Sequence, residues 1–143
     1  MKQFMLIVAA LTISCAIAIA HTDFVAERIA HFKMVGQNAK LASDMIRQER
    51  PFDVVRARAA FKEMAEHLRK TKSLIPPDSL GGNSTASPEI WKNRKDYDSR
   101  LDHLIRHLEE GEAKITDMAT LQKEWQKVSP DCGGCHKAYR TKR

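Results

Sequence analysis

Strand-like alternation of apolar and polar residues is almost absent from this sequence, as are internal repeats and low-complexity tracts. A β-sheet and a repeat architecture therefore have no pattern to rest on. Aromatic residues make up only 6% of the chain and cysteines number three, too few for a disulfide-stapled scaffold. At 143 residues the chain excludes a large multidomain enzyme and points to one domain. There is also no block of single-sign charge. Lys and Arg together number 24 against 18 Asp and Glu, but the signs alternate along helical faces, which reads as a solvated surface and not as a nucleic-acid-binding one.

What the sequence does contain is uneven. Residues 1–20 carry one charge, Lys2, followed by an uncharged run from Phe4 that ends in Ala18, Ile19 and Ala20. A basic start, a short apolar stretch and a small-x-small ending describe a secretory signal peptide cleaved after Ala20, so the mature domain would be residues 21–143 and the compartment the periplasm. An uncleaved anchor competes with this reading, since about 17 apolar residues is the low end for a membrane span. The residues before Cys15 fit a lipoprotein signal poorly. Beyond Ala20 the hydrophobic content falls to about 37% from 43% overall, low for a domain of this size, and a core-filling cofactor would make up the shortfall. Cys15 leaves with the signal, which reduces the cysteines to Cys132 and Cys135.

The remaining pattern is helical. Val25, Ile29, Phe32, Val35 or Gly36, Ala39, Ala42, and Met45 or Ile46 recur at three- and four-residue spacing and predict a first helix of roughly 25 residues, about 40 Å long. Pro51 can open a second helix, because the first turn does not use its missing N–H. The stripe Val54, Ala57, Phe61, Met64, Ala65 and Leu68 then continues to Ile75, where Pro76 and Pro77 stop it. After the loop 76–87, Ser87 caps a third helix with Pro88 at its first position and Glu89 near the positive end of the dipole. Its stripe is Ile90, Tyr97, Leu101, Leu104 and Leu108, and Gly111 weakens its end. Asp117 can cap a fourth, carrying Leu121, Trp125, Val128, Cys132, Cys135 and Tyr139. Four amphipathic helices, three of them joined by short connections, predict an all-α, antiparallel up-down-up-down four-helix bundle. Pro130 should kink the last of them by removing a donor and crowding the Gln126 carbonyl.

One segment of that last helix carries chemistry. Cys132, Gly133, Gly134, Cys135 and His136 spell CGGCH, the spacing by which two thiols add to the vinyl groups of a c-type haem while the next residue, an imidazole, reaches the iron. The alternatives are weaker. A thioredoxin-like Cys-x-x-Cys calls for a preceding strand and a βαβ unit. Zinc calls for four ligands, and neither a second Cys pair nor a His-x-His arrangement accompanies this one. A plain disulfide stays open. Seven residues follow His136 and none is Met or His, so a sixth iron ligand cannot come from downstream and the other face of the haem must meet an earlier helix.

With RIAHFKMVGQN in the first helix, ERPFD at its end, SPEIW opening the third and CGGCHKAYR near the end, the chain resembles the cytochrome c prime family, the class II c-type cytochromes, over nearly all of the mature domain. The resemblance implies a four-helix bundle with one covalent haem c held by Cys132 and Cys135, and His136 as the proximal iron ligand. It further implies Arg140 beside the proximal face and Arg28 near the haem propionates, where a guanidinium can pair with carboxylates. Surface solvation is the plain alternative for both arginines.

Four residues beyond Arg28, the low-spin electron carriers of the family have Met as the sixth ligand, whereas this chain has Phe32. Phenylalanine offers no lone pair, so the resemblance implies five-coordinate, high-spin iron under an apolar lid. Such a pocket admits a neutral diatomic, nitric oxide or carbon monoxide, without loss of hydration. The resemblance also implies that bound nitric oxide weakens the bond to His136, with Arg140 placed to steady the released face. Met34 should face away, about 200° round the helix from Phe32, and His31 would need a rotated helix to reach iron. The alternative function is a small low-spin electron carrier working with a redox partner protein. No second acid/base constellation accompanies the motif, so an enzyme is not expected, and His67, His103 and His107 read as surface residues. The family implies a homodimer through the first two helices. The sequon at Asn83, Ser84 and Thr85 reads as a chance match in a loop.

Overall fold

The computed structural model describes residues 2–77 and 79–141, with side chains from residue 24 onward. Five helices follow in chain order among these residues: α1 (Lys2–Ile46), α2 (Val54–Lys72), α3 (Glu89–Lys92), α4 (Arg94–Lys114) and α5 (Met118–Tyr139). The α1 helix packs on α2, α2 on α4 and α4 on α5, and α5 closes back on α1. With the single turn α3 counted as the approach to α4, this is the expected up-down-up-down bundle. The side chains of the segment read as a signal peptide, and its cleavage point after Ala20, lie outside the described ones. The backbone of α1 starts at Lys2, well upstream of the expected helix near Val25. Among the described residues no helix is long and apolar enough to cross a membrane.

The stripes read from the sequence do meet in the core. Ala42 and Met45 from α1, Phe61 and Leu68 from α2, Leu101 and Leu108 from α4, and Leu121 and Val128 from α5 are all buried in one cluster. Burial of the larger of these side chains stabilises by roughly 1.5–3 kcal/mol each, which is what orients the four helical faces. Tyr97 and Tyr139 meet edge to face across α4 and α5, with ring centroids 5.3 Å apart.

Four local expectations need correction. Pro51 does not open α2: Asp53 does, its carboxylate accepting from the Arg56 backbone N–H at 3.0 Å. A charged cap that satisfies an orphan donor outweighs a proline that only presets φ. The helix then ends at Lys72, with Ser73 as its C-cap, before the prolines are reached. The third predicted helix is divided at Asn93, whose N–H closes α3 on the Glu89 carbonyl at 2.9 Å. Gly111 lies inside α4 and is buried. The helix runs on to Lys114, and a Cβ at 111 would meet Phe61 Cε1 at 2.8 Å, so the glycine lets α2 approach. Asp117 caps α5 as expected, in a reciprocal capping box with Thr120. The helix continues through Pro130 to Tyr139.

Candidate functional site

The loop between α2 and α3 is built onto the bundle by cations from two helices. Arg28 of α1 is only 2% exposed. Its guanidinium donates to the Leu74 carbonyl at 2.9 Å, to Ser79 Oγ at 3.0 Å, to the Ser79 carbonyl at 2.8 Å and to Ser84 Oγ at 3.3 Å. Burial holds this arginine below its ordinary pKa, yet it stays charged, because its ordinary value is far above neutrality. Arg94 of α4 donates to the Ile75 and Lys72 carbonyls, and Trp91 Nε1 donates to the Pro76 carbonyl at 2.8 Å. The end of the same loop pairs with the end of α5: Ser87 N–H donates to the Tyr139 carbonyl and Thr141 N–H to the Thr85 carbonyl, both at 2.9 Å. One loop thus joins the α1 stretch carrying Arg28 to the α5 terminus carrying CGGCH.

On α5, Cys132 and Cys135 lie one turn apart, partly buried against the apolar core, and both thiols are free. Burial, followed by the charge of Asp131, pushes the Cys132 thiol up to about 11. Burial likewise raises Cys135, with Arg100 opposing. Both are therefore thiols, not thiolates, at neutral pH, and lack the electropositive setting of a redox-active Cys-x-x-Cys. The exposed His136 ring is held below its ordinary value, first by partial loss of solvent and then by the positive charge of Arg140. Its nitrogens are accordingly available as neutral donors to a metal. Arg140 caps α5 through its N–H to the His136 carbonyl at 3.1 Å, and its backbone bridges to Ala86.

Around the motif, a Cβ added at Gly133 would meet nothing within 4 Å, and one at Gly134 only the tip of Arg100 at 3.6 Å. Neither glycine is demanded by protein packing, which leaves this stretch of α5 open to a large flat group. Arg100 pairs with Asp96 at 2.7 Å, and Tyr139 Oη donates to the same carboxylate at 2.5 Å. Partly exposed apolar side chains stand on other elements: Phe24 and Phe32 on α1, 37% and 36% exposed, and Leu80 in the loop that Arg28 holds. Two free thiols at attachment spacing, an adjacent neutral imidazole, open space at glycine and exposed phenyl rings fit a covalently bound haem.

Phe32 follows Arg28 by one helical turn and so shares its face. His31 turns elsewhere: its Nδ1 lies 2.8 Å from Nδ1 of His67 on α2, a hydrogen bond in which one ring donates and the other accepts. The Met34 carbonyl accepts from Asn38 at 3.1 Å.

Sequence reasoning missed one convergence. His103 and His107 do not stand as separate surface residues, because both aim Nδ1 at Asp131 of α5, at 3.3 and 2.8 Å. Their spacing of four on one helix was the available signal. His67 is half-buried against His31.

Residues 23–140 match the family model described as Cytochrome C'. Cytochrome c' of Rhodopseudomonas palustris (strain ATCC BAA-98 / CGA009) is 30% identical over 127 residues, spanning 88% of this chain and 87% of that protein. Cytochrome c-556 of the same organism is 26% identical over 148 residues, spanning 99% of both chains. Among solved structures, cytochrome c' from Rhodopseudomonas palustris superposes with a TM-score of 0.81 at 29% identity, covering 85% of this chain and 98% of that one.

Proposed function

The chain belongs to the cytochrome c' family, and from that premise we propose that it is an exported, periplasmic haem protein that binds nitric oxide or carbon monoxide and is not an enzyme. Its cofactor is haem c, covalently bound. In this reading Cys132 and Cys135 hold the haem through thioether bonds and His136 is the proximal ligand. Bound there, the haem would supply the chemistry that takes up a neutral diatomic. Phe32 withholds a lone pair from that position and keeps water from it, so a neutral gas enters without shedding a hydration shell while an anion must shed its own. Arg140 stands beside the proximal imidazole, where its charge adds to the effect of burial in disfavouring a proton on that ring. Arg28 fixes the loop that links α1 to the end of α5, and in this reading its positive charge faces the propionates from within that clamp.

The observation that carries the reading is the pairing of His31 with His67 at 2.8 Å. It commits the nearest imidazole on α1 to α2 and leaves Phe32 as the residue one turn from Arg28. A second reading, a low-spin electron carrier with a redox partner, draws on the match to cytochrome c-556 over 99% of both chains. One optical experiment decides between them. Broad high-spin bands in the oxidised and reduced holoprotein that change promptly on adding carbon monoxide are expected. Sharp low-spin bands that ignore the gas would overturn the gas-binding reading in favour of electron transfer.

A further inference from the structure

On the flank shared by α4 and α5, two imidazoles face one carboxylate oxygen. Asp131 Oδ2 lies 2.8 Å from His107 Nδ1 and 3.3 Å from His103 Nδ1, and the two rings are 4.2 Å apart between centroids. The available ligand atoms of the three residues all fall within 4.8 Å of one another. Two neutral rings can each donate an Nδ1 proton to this carboxylate, so the trio can also stand as a hydrogen-bonded contact between helices. With those protons carried on the other ring nitrogens, two nitrogen lone pairs and a carboxylate converge and together suit a single doubly charged ion.

We propose that His103, His107 and Asp131 form a binding site for a divalent first-row transition metal ion of the zinc or copper kind, with water completing the coordination. The donor set selects the class. Two imidazoles and one carboxylate suit zinc and copper, whereas magnesium and calcium take oxygen almost exclusively. Tetrahedral bonds of about 2.0–2.1 Å place ligand atoms about 3.3 Å apart. That is the spacing of the His103 pair, and the His107 pair must open by about half an ångström. Side-chain rotation supplies this, since His103 is 50% exposed and His107 25%. The same exposure gives the ion an entry path and leaves a position for water. Leu104 and Leu108 of α4 and Val128 of α5 belong to the buried core, so the two helices that carry the three donors are anchored in it. None of the three residues is used by the proposed haem attachment, so this site stands or falls independently of the gas-binding reading.

The test uses the haem-loaded protein, in which thioether formation removes the cysteines as competing ligands. After treatment with a chelator, it is titrated with zinc chloride in a calorimeter. One ion per chain at micromolar affinity is expected, weakened at least about tenfold in His107→Gln and in Asp131→Asn. His67→Gln, which breaks the other histidine pair, should leave the titration unchanged. Copper(II) bound at the same stoichiometry should show two nitrogen ligands by electron paramagnetic resonance, reduced to one in His103→Gln. Circular dichroism and the haem spectrum of each variant establish that it is folded. Zinc affinity no tighter than millimolar, or binding that survives loss of His103 and His107, would overturn the proposal and leave the trio as an ion-paired contact between helices.

Discussion

A phenyl ring at position 32 cannot donate to iron, whereas a thioether there brings a sulfur lone pair on a flexible chain of similar volume. Phe32 is 36% exposed and outside the buried core, so Phe32→Met should cost less than about 1.5 kcal/mol of stability. Its effect on the iron should be large. The variant is expected to show sharp low-spin bands and to lose its prompt response to carbon monoxide, read in the same cuvette as the parent. A variant that keeps the parent's broad bands would mean that position 32 does not face the iron. The CGGCH motif was legible because its chemistry is local, three residues of one helix in fixed order. Arg28 was less so. Its charge was visible in the sequence, but its four acceptors lie 46 to 56 residues away in a loop whose path no periodicity encodes.

At the level of the elements, apolar spacing gave each bundle helix its face and its approximate length, while the boundaries depended on contacts between elements. The break at Asn93 is the clearest case. Arg94 immediately after it reaches back to the Ile75 and Lys72 carbonyls, and Trp91 before it reaches Pro76. These bonds fix α3 and the start of α4 to the end of α2 in a path that one straight helix could not follow. Gly111 is another such case, because helix propensity alone marks it as a weak point. The buried ring of Phe61 lies 2.8 Å and Glu124 Cβ 3.2 Å from where a Cβ would stand. Gly111→Ala should gain about 1 kcal/mol of helix propensity and lose about 1–3 kcal/mol to overpacking. Phe61 is fully buried and has no free direction in which to yield, so the loss should prevail. Thermal unfolding of the haem-loaded variant should show a lower Tm, and a higher one would mean that α2 and α4 can separate at this point.

Across the whole molecule, what escaped the sequence is the rotation of helices about their own axes. The stripes define which face turns inward, but not which polar residues at the edge of one face meet those of the next. Two histidine pairs formed in that way, His103 and His107 onto Asp131, and His31 onto His67. The second joins α1 to α2 and makes the bundle sensitive to pH. Burial holds His67 below its ordinary value near 6.5, and the charges of His31 and Lys70 act in the same direction, against Glu63 and Glu66. The folded protein therefore resists a proton that the unfolded chain accepts. Stability from this source is fully present above about 6.5, the unfolded value, and is lost as pH falls from there toward the depressed folded value. The carboxylates held low by their partners, Asp44, Asp96 and Asp117, add an acid loss of the same sign in a separate window below their ordinary value of 3.8. Tm should thus fall between pH 7.5 and pH 5, before those carboxylates titrate. His67→Gln keeps a polar partner for His31 and removes the titrating ring, so its Tm should fall by visibly less over the same interval. Parallel profiles for parent and variant would show that the α1 and α2 contact does not govern the response to acid.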